Sequence, residues 1–288
     1  MGSGMAANLA RAGHQVAAYD LSASALEAAR AAGCTPAATA GDAVSGAEAV
    51  ITMLPAGPDV RAVYARDLIP HASPGSLLID CSTIDIESAR AVAADARAAG
   101  FRPVDAPVSG GVAGADAGTL AFMVGCQAED FGEVEQVLTP MARAVVRAGE
   151  AGAGQAAKIC NNMLLGISML GVCEAFGLAE KLGLDAQAFF DIASKSSGQC
   201  WSLTSYSPWP GQVETAPSNR NYDGGFLVRL MLKDLKLSQE AASRSGAVTP
   251  MGAEAAALYG LFDSLGYGGK DFSSVLQLLR GRLDDLAG

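Results

Sequence analysis

Through the first half of the chain, short apolar runs alternate with stretches whose apolar residues recur every three or four positions. That is the pattern of strands alternating with helices in a mainly parallel sheet. The runs predict strands over residues 15–19, 49–54, 76–81, 102–106, 120–124 and 144–147. The periodic stretches between them predict helices over 23–32, 58–65, 86–99 and 129–141. Gly13, Gly33 and Gly100 each fall just after a helical stretch, where a left-handed C-terminal cap is favoured. From about Gly152 the strand pattern stops. Helical periodicity then runs over 155–182, 186–194, 227–245, 251–265 and 272–283, and the connection 198–225, rich in Pro, Ser, Tyr and Trp, predicts an ordered loop. The expected organisation is an α/β domain over 1–150 and an all-helical domain over 151–288.

Dinucleotide-binding domains open with a buried strand, then G-x-G-x-x-G at a helix N-terminus, then a second strand ending in an acidic residue. This chain starts Met1-Gly2-Ser3-Gly4-Met5 as a helix, caps at Gly13-His14, and runs through a strand to Asp20. Gly2 alone fits an ordinary N-terminal helix. Asp20, 18 residues further on, stands near the place of a ribose-binding acid and shifts the reading. Gly2 is then the third glycine, where a missing side chain allows close helix–strand packing. The expected fold is a doubly wound, Rossmann-type parallel sheet lacking its first strand, which together with the first two glycines would lie ahead of Met1. Weak cofactor binding is expected of a chain that starts there. A carboxylate at Asp20 accepts bonds from ribose hydroxyls and repels a 2′-phosphate. No Arg follows it closely, so NAD is expected rather than NADP.

The formal charge of -10 argues against nucleic acid or an anionic membrane as partner. The N-terminus has no signal-peptide pattern and no apolar run looks long enough to span a bilayer, so a cytoplasmic protein is expected. The six cysteines are scattered without a C-x-x-C pair, which predicts reduced and mostly buried thiols. His14 and His71 have no partner at ligand spacing, so no metal site is expected. If the chain moves protons, another residue type carries them.

Lys158 is the strongest candidate. Ile159, Met163, Leu164, Leu165, Ile167, Met169 and Leu170 make its helix nearly all apolar and so predict burial, and a buried lone Lys needs a reason. Burial would depress its pKa toward neutrality and suit it to general acid–base work. Asn162 falls on the same helix face, while Asn161 points elsewhere and reads as structural. Ser109-Gly110-Gly111 offers successive backbone N–H groups as a nest for a carboxylate, or is a simple glycine-rich turn; its place after a strand favours the nest. Thr83 can cap the next helix or face a ligand.

Asp105-Ala106-Pro107-Val108-Ser109-Gly110-Gly111 resembles the substrate-loop signature of the β-hydroxyacid dehydrogenases, and 152–162 resembles their G-x-G-x-x-x-K-x-x-N-N helix. Lys233-Asp234-Leu235 resembles their third element. Stretches 197–202, 221–226 and 270–275 are similar to members acting on 3-hydroxyisobutyrate. The resemblance runs in order along the whole chain. It implies Lys158 as the catalytic group and Asn162 as a substrate-orienting partner. Ser109, Gly110 and Gly111 would hold the substrate, Leu54, Pro55 and Thr83 would line the cofactor, and Lys233 would sit beside nicotinamide and substrate. The family often has Asn where Asp59 stands. Trp201, Tyr206 and Phe226 either wall an acyl pocket or pack the loop.

The implied reaction is NAD-dependent oxidation of 3-hydroxyisobutyrate to methylmalonate semialdehyde, a step of valine breakdown, by a homodimer or homotetramer. The alternatives are another short β-hydroxyacid, as in enzymes acting on tartronate semialdehyde or hydroxypropionate, and a non-catalytic dinucleotide-binding protein.

Overall fold

Leu77, Leu78 and Ile79 are all fully buried, so the strand they form is covered on both faces, as in the middle of an α/β sheet. In the computed structural model, which describes residues 1–286, this strand is β4 (Leu77–Asp80). It runs parallel to β3 (Ala49–Thr52) and to β5 (Arg102–Asp105). Leu77 and Ile79 join a core with Val104, Phe122 and Val124, while Leu78 points to the other face against Val60, Tyr64 and Phe101. Ahead of these strands come α1 (Gly2–Arg11), β1 (Ala17–Ala18), α2 (Ala23–Ala31), β2 (Thr35–Pro36) and α3 (Ala40–Val44). β1 and β2 are parallel and form a separate two-stranded sheet. In the doubly wound order 3-2-1-4-5-6, β2 and β1 take places 3 and 2, and β3, β4 and β5 take 4, 5 and 6. Among the described residues no strand takes place 1.

The helices α4 (Gly57–Val63) and α5 (Ile86–Ala98) connect the central strands. Asp85 caps α5, its carboxylate accepting from the Ser88 N–H. Beyond β5 the sheet is mixed rather than parallel. β6 (Val108–Ser109) lies antiparallel to β7 (Leu120–Gly125), with only the short α6 (Gly111–Ala117) between them. A parallel return needs a crossover of a dozen or more residues, and this connection is too short for one. After α7 (Phe131–Leu138), β8 (Ala142–Gly149) runs parallel to β7. Gly13, Gly33 and Gly100 have φ of +96°, +92° and +87°, the left-handed cap conformation expected of them.

The chain divides into two compact units, the first ending at Lys158 and the second starting at Ile159. The divide falls inside α8 (Ala153–Lys181), slightly after the boundary expected at 150/151. The second unit continues with α9 (Ala186–Ala193), α10 (Trp201–Thr204), α11 (Val228–Ser245), α12 (Pro250–Phe262) and α13 (Val275–Arg280). Its core joins Met169, Cys173 and Phe176 of α8 to Met231 and Leu235 of α11 and Tyr259 of α12. The expected loop 198–225 is ordered and holds α10 and a 3-10 turn, Pro217–Arg220.

Two expectations about α8 need correction. The helix is not buried all round: Leu164 is 65% exposed, and Leu178 is exposed too. By length and composition it is also apolar enough to cross a membrane, against the expectation that no segment is. Lys158, Asn161 and Asn162 break its apolar run, which hides that length in the sequence. The six cysteines are free thiols, four of them buried.

Candidate active site

The start of α8 has no Ser, Thr, Asp or Asn at its own N-cap, the sequence there being Ala151-Gly152-Ala153. Asp105 at the end of β5 supplies the acceptor. Its Oδ1 takes a bond from the Gly152 N–H at 2.7 Å and its Oδ2 from the Gln155 N–H at 2.9 Å. Gln155 in turn donates its side-chain amide to the Ser82 carbonyl (2.7 Å) and accepts from the Ile84 N–H (3.2 Å). Burial raises the Asp105 carboxyl to about 6, against the two backbone bonds, which pull it down. On the neighbouring strand Asp80 is buried as well, accepting from Thr52 Oγ1 at 2.7 Å and Ser82 Oγ at 2.6 Å. Ser82 Oγ also accepts from the Leu54 N–H, which fixes the Leu54-Pro55 turn after β3. This network of Asp80, Ser82, Asp105 and Gln155 was not read from the sequence, because Gln155 lies 50 residues from Asp105 and 73 from Ser82.

The candidate cofactor residues stand at the ends of these elements. No side chain caps the first turn of α1, so its N–H groups are available to an anion. Asp20 is exposed after β1, with one carboxylate oxygen accepting from the Ser22 N–H at 2.8 Å and the other clear of that bond. A helix start with uncapped donors and an exposed acid 18 residues later suit a pyrophosphate and a ribose diol, so the residues fit a nicotinamide dinucleotide. The strand against which close packing was expected at Gly2 is not among the described residues. A Cβ on Gly2 would meet nothing nearer than 3.7 Å, whereas one on Gly4 would lie 2.8 Å from the Ala115 backbone of α6. Asn8 ties the same two helices, donating to the Ala115 carbonyl at 2.7 Å.

Ser109 ends β6, and the chain then turns through Gly110 (φ +134°) and Gly111 (φ +63°) into α6. Two successive positive φ values need glycine and bend the backbone sharply, as an anion nest does. Lys158 is 7% exposed, so the burial expected of it holds. Asn162, one turn on, is buried too and donates to the Asp234 carboxylate. Asn161 is exposed and donates to Asn162 Oδ1 at 3.0 Å, which orients the Asn162 amide. Lys233 and Asp234 lie side by side on α11. In the second unit the ring of Trp201, half exposed, stacks on Tyr206 with centroids 4.9 Å apart. The Tyr206 hydroxyl donates to Asp271, a fully buried carboxylate that sequence reasoning did not single out.

Residues 1–149 match the family described as the NAD binding domain of 6-phosphogluconate dehydrogenase. Residues 152–279 match the one described as the NAD-binding of NADP-dependent 3-hydroxyisobutyrate dehydrogenase. The chain belongs to the β-hydroxyacid dehydrogenase family, a class of nicotinamide-dependent oxidoreductases. Among its relatives, a 3-hydroxyisobutyrate dehydrogenase of Pseudomonas aeruginosa is 48% identical over 98% of this chain and 96% of its own. An NAD-dependent L-serine dehydrogenase of the same organism is also 48% identical, over 96% of this chain and 94% of its own. The solved structure of Mycobacterium tuberculosis 3-hydroxyisobutyrate dehydrogenase with L-serine superposes with a TM-score of 0.93 at 46% identity, covering 97% of this chain and 96% of that one.

Proposed function

We propose that the chain oxidises a short β-hydroxyacid with a free carboxylate, 3-hydroxyisobutyrate first, to its semialdehyde with NAD. The observation that carries this reading is Lys158, buried in the first turns of α8 one helical turn before the buried Asn162. The bound dinucleotide would supply the hydride acceptor. Lys158 takes the hydroxyl proton as hydride leaves carbon, and Asn162, held by Asp234 and Asn161, orients the substrate. Ser109, Gly110 and Gly111 hold the carboxylate. Gly2, Asp20, Leu54, Pro55 and Thr83 bind the cofactor, and Lys233 serves nicotinamide and substrate together.

L-serine is the second reading, favoured by the L-serine dehydrogenase relative. It differs at C2, where an ammonium replaces a methyl. The stacked Trp201–Tyr206 pair supports the methyl, if these rings wall the pocket. A steady-state panel of both acids and hydroxypropionate with NAD and NADP tests the reading. One group's difference in such a pocket is worth about 10–200-fold, so 3-hydroxyisobutyrate should lead L-serine by at least about ten-fold in kcat/KM. A serine preference, or equal use of NAD and NADP, contradicts the corresponding half of the proposal.

The exposed apolar face of α8, with Leu164 and Leu178, supports a second copy of this chain as partner. Light scattering on the purified protein should find a dimer or tetramer, and Leu164→Glu with Leu178→Glu should shift it to monomer. A monomeric wild type would refute this assignment of the face.

A further inference from the structure

We propose that Asp105 is a positioning residue for the proposed proton-transfer group: its carboxylate, with Gln155, fixes the first turn of α8 and so the place of Lys158. The inference rests on the role of Lys158 given above. A helix start needs only a local Ser, Thr, Asp or Asn to satisfy its N–H groups. Here the cap comes from 47 residues away, at the cost of burying a carboxylate. What the distant cap adds is attachment. Asp105 is the last residue of β5, four residues before Ser109, and Lys158 is three residues after Gln155. The two bonds to Asp105 and the two from the Gln155 side chain to Ser82 and Ile84 tie that turn to the ends of the central strands. Gly154 closes the fit, since a Cβ there would lie 2.3 Å from the Met123 carbonyl oxygen and 2.6 Å from that of Asp105. Together these contacts leave the turn no free translation or rotation.

The attachment is also sensitive to protons. The titratable groups around Asp105 are Asp80 on β4, Tyr64 after α4 and Arg90 of α5, whose side chain lies against Gly152. β7 presents only Gly125. Burial, with a smaller push from Asp80, raises the Asp105 carboxyl to about 6. Below that pH the carboxylate takes a proton and its charge-assisted bonds to Gly152 and Gln155 weaken. kcat should therefore fall as pH drops through about 6. Stability runs the other way. The folded protein holds the proton more tightly than the unfolded chain, whose value is near 3.8, so this group's contribution to stability declines as pH rises from about 4 to about 6.

The test compares wild type, Asp105→Asn and Lys158→Ala, with NAD and either 3-hydroxyisobutyrate or L-serine, from pH 5 to 9. NAD titration and denaturant unfolding from pH 4 to 7 accompany the kinetics. A displacement of about 1 Å costs on the order of 10²-fold, so Asp105→Asn should lower kcat by about that factor. KM for the acid and the NAD dissociation constant should move far less, and the contribution to the acid limb that titrates near pH 6 should be lost. The fall in stability between about pH 4 and 6 should be shallower than in wild type. An Asp105→Asn protein with wild-type kcat, or with the acid limb unmoved, overturns the inference. If Asp105→Asn does not fold, Gln155→Met decides: a lowered kcat with the acid limb retained supports the inference, and an unchanged kcat overturns it. Lys158→Ala keeping wild-type turnover removes the proposed function and this inference with it. An inactive Lys158→Ala beside an unaffected Asp105→Asn removes this inference alone.

Discussion

Lys158→Ala should abolish turnover while leaving NAD binding nearly intact. A general acid–base group contributes about 10²–10⁴-fold, and the loss should appear in kcat rather than in KM. The separation follows from where the residues lie. Apart from Lys233 on α11, the groups assigned to the dinucleotide sit at the start of α1, after β1 and after β3 and β4, whereas Lys158 lies on α8. Single-turnover kinetics with the preferred acid, beside calorimetric titration of NAD, measures both halves. A variant with more than about a tenth of wild-type turnover would show that the proton goes elsewhere. A variant that is inactive because it no longer binds NAD would place Lys158 in the cofactor site instead.

The reach of the sequence follows the physics of each element. The central strands could be read because Leu77, Leu78 and Ile79 are buried on both faces and so form an unbroken apolar run. The two-residue strands β2 and β6 and the short helices α3 and α6 carry too few residues for a period to show. Lys158 and Asn162 were legible as polar residues in an apolar helix. Which face of that helix is buried was not, because a helix apolar all round gives no stripe to read. The chain packs Met169, Cys173 and Phe176 inward and leaves Leu164 and Leu178 outside. The close approach at Gly4 depends on α6, whose existence the pattern did not reveal. Asp105 was visible as the first letter of a signature, and its partners Gly152 and Gln155 as letters of another. Only the fold shows that the two signatures are bonded to each other.

In the second unit the largest loss of stability should come from Asp271→Ala. Asp271 is fully buried, and its carboxylate accepts four bonds. Oδ2 takes the Tyr206 hydroxyl at 2.7 Å and the Phe226 N–H at 2.8 Å; Oδ1 takes the Ser273 N–H at 3.0 Å and its hydroxyl at 2.5 Å. These bonds join the loop carrying Trp201 and Tyr206 to the segment before α11 and to the one before α13. Gly225 passes so close that a Cβ would lie 2.5 Å from the Tyr206 hydroxyl, at a φ of +75° that glycine tolerates. Alanine at 271 leaves all four donors without their acceptor. Each unsatisfied buried donor costs about 1–3 kcal/mol, and partial relaxation brings the total to about 3–5 kcal/mol. That corresponds to a drop in Tm on the order of 10 °C. Tyr206→Phe removes one donor and keeps the acceptor occupied by three others, so it should cost only about 1 kcal/mol. Burial raises the Asp271 carboxyl above 3.8 in the folded protein, so wild type gains stability as pH falls toward that value and the alanine variant does not. The gap between them should be wider at pH 4 than at pH 7. Thermal melts of the three proteins at both pH values decide the matter. If Asp271→Ala melts within about 2 °C of wild type, the four bonds are not what holds this loop.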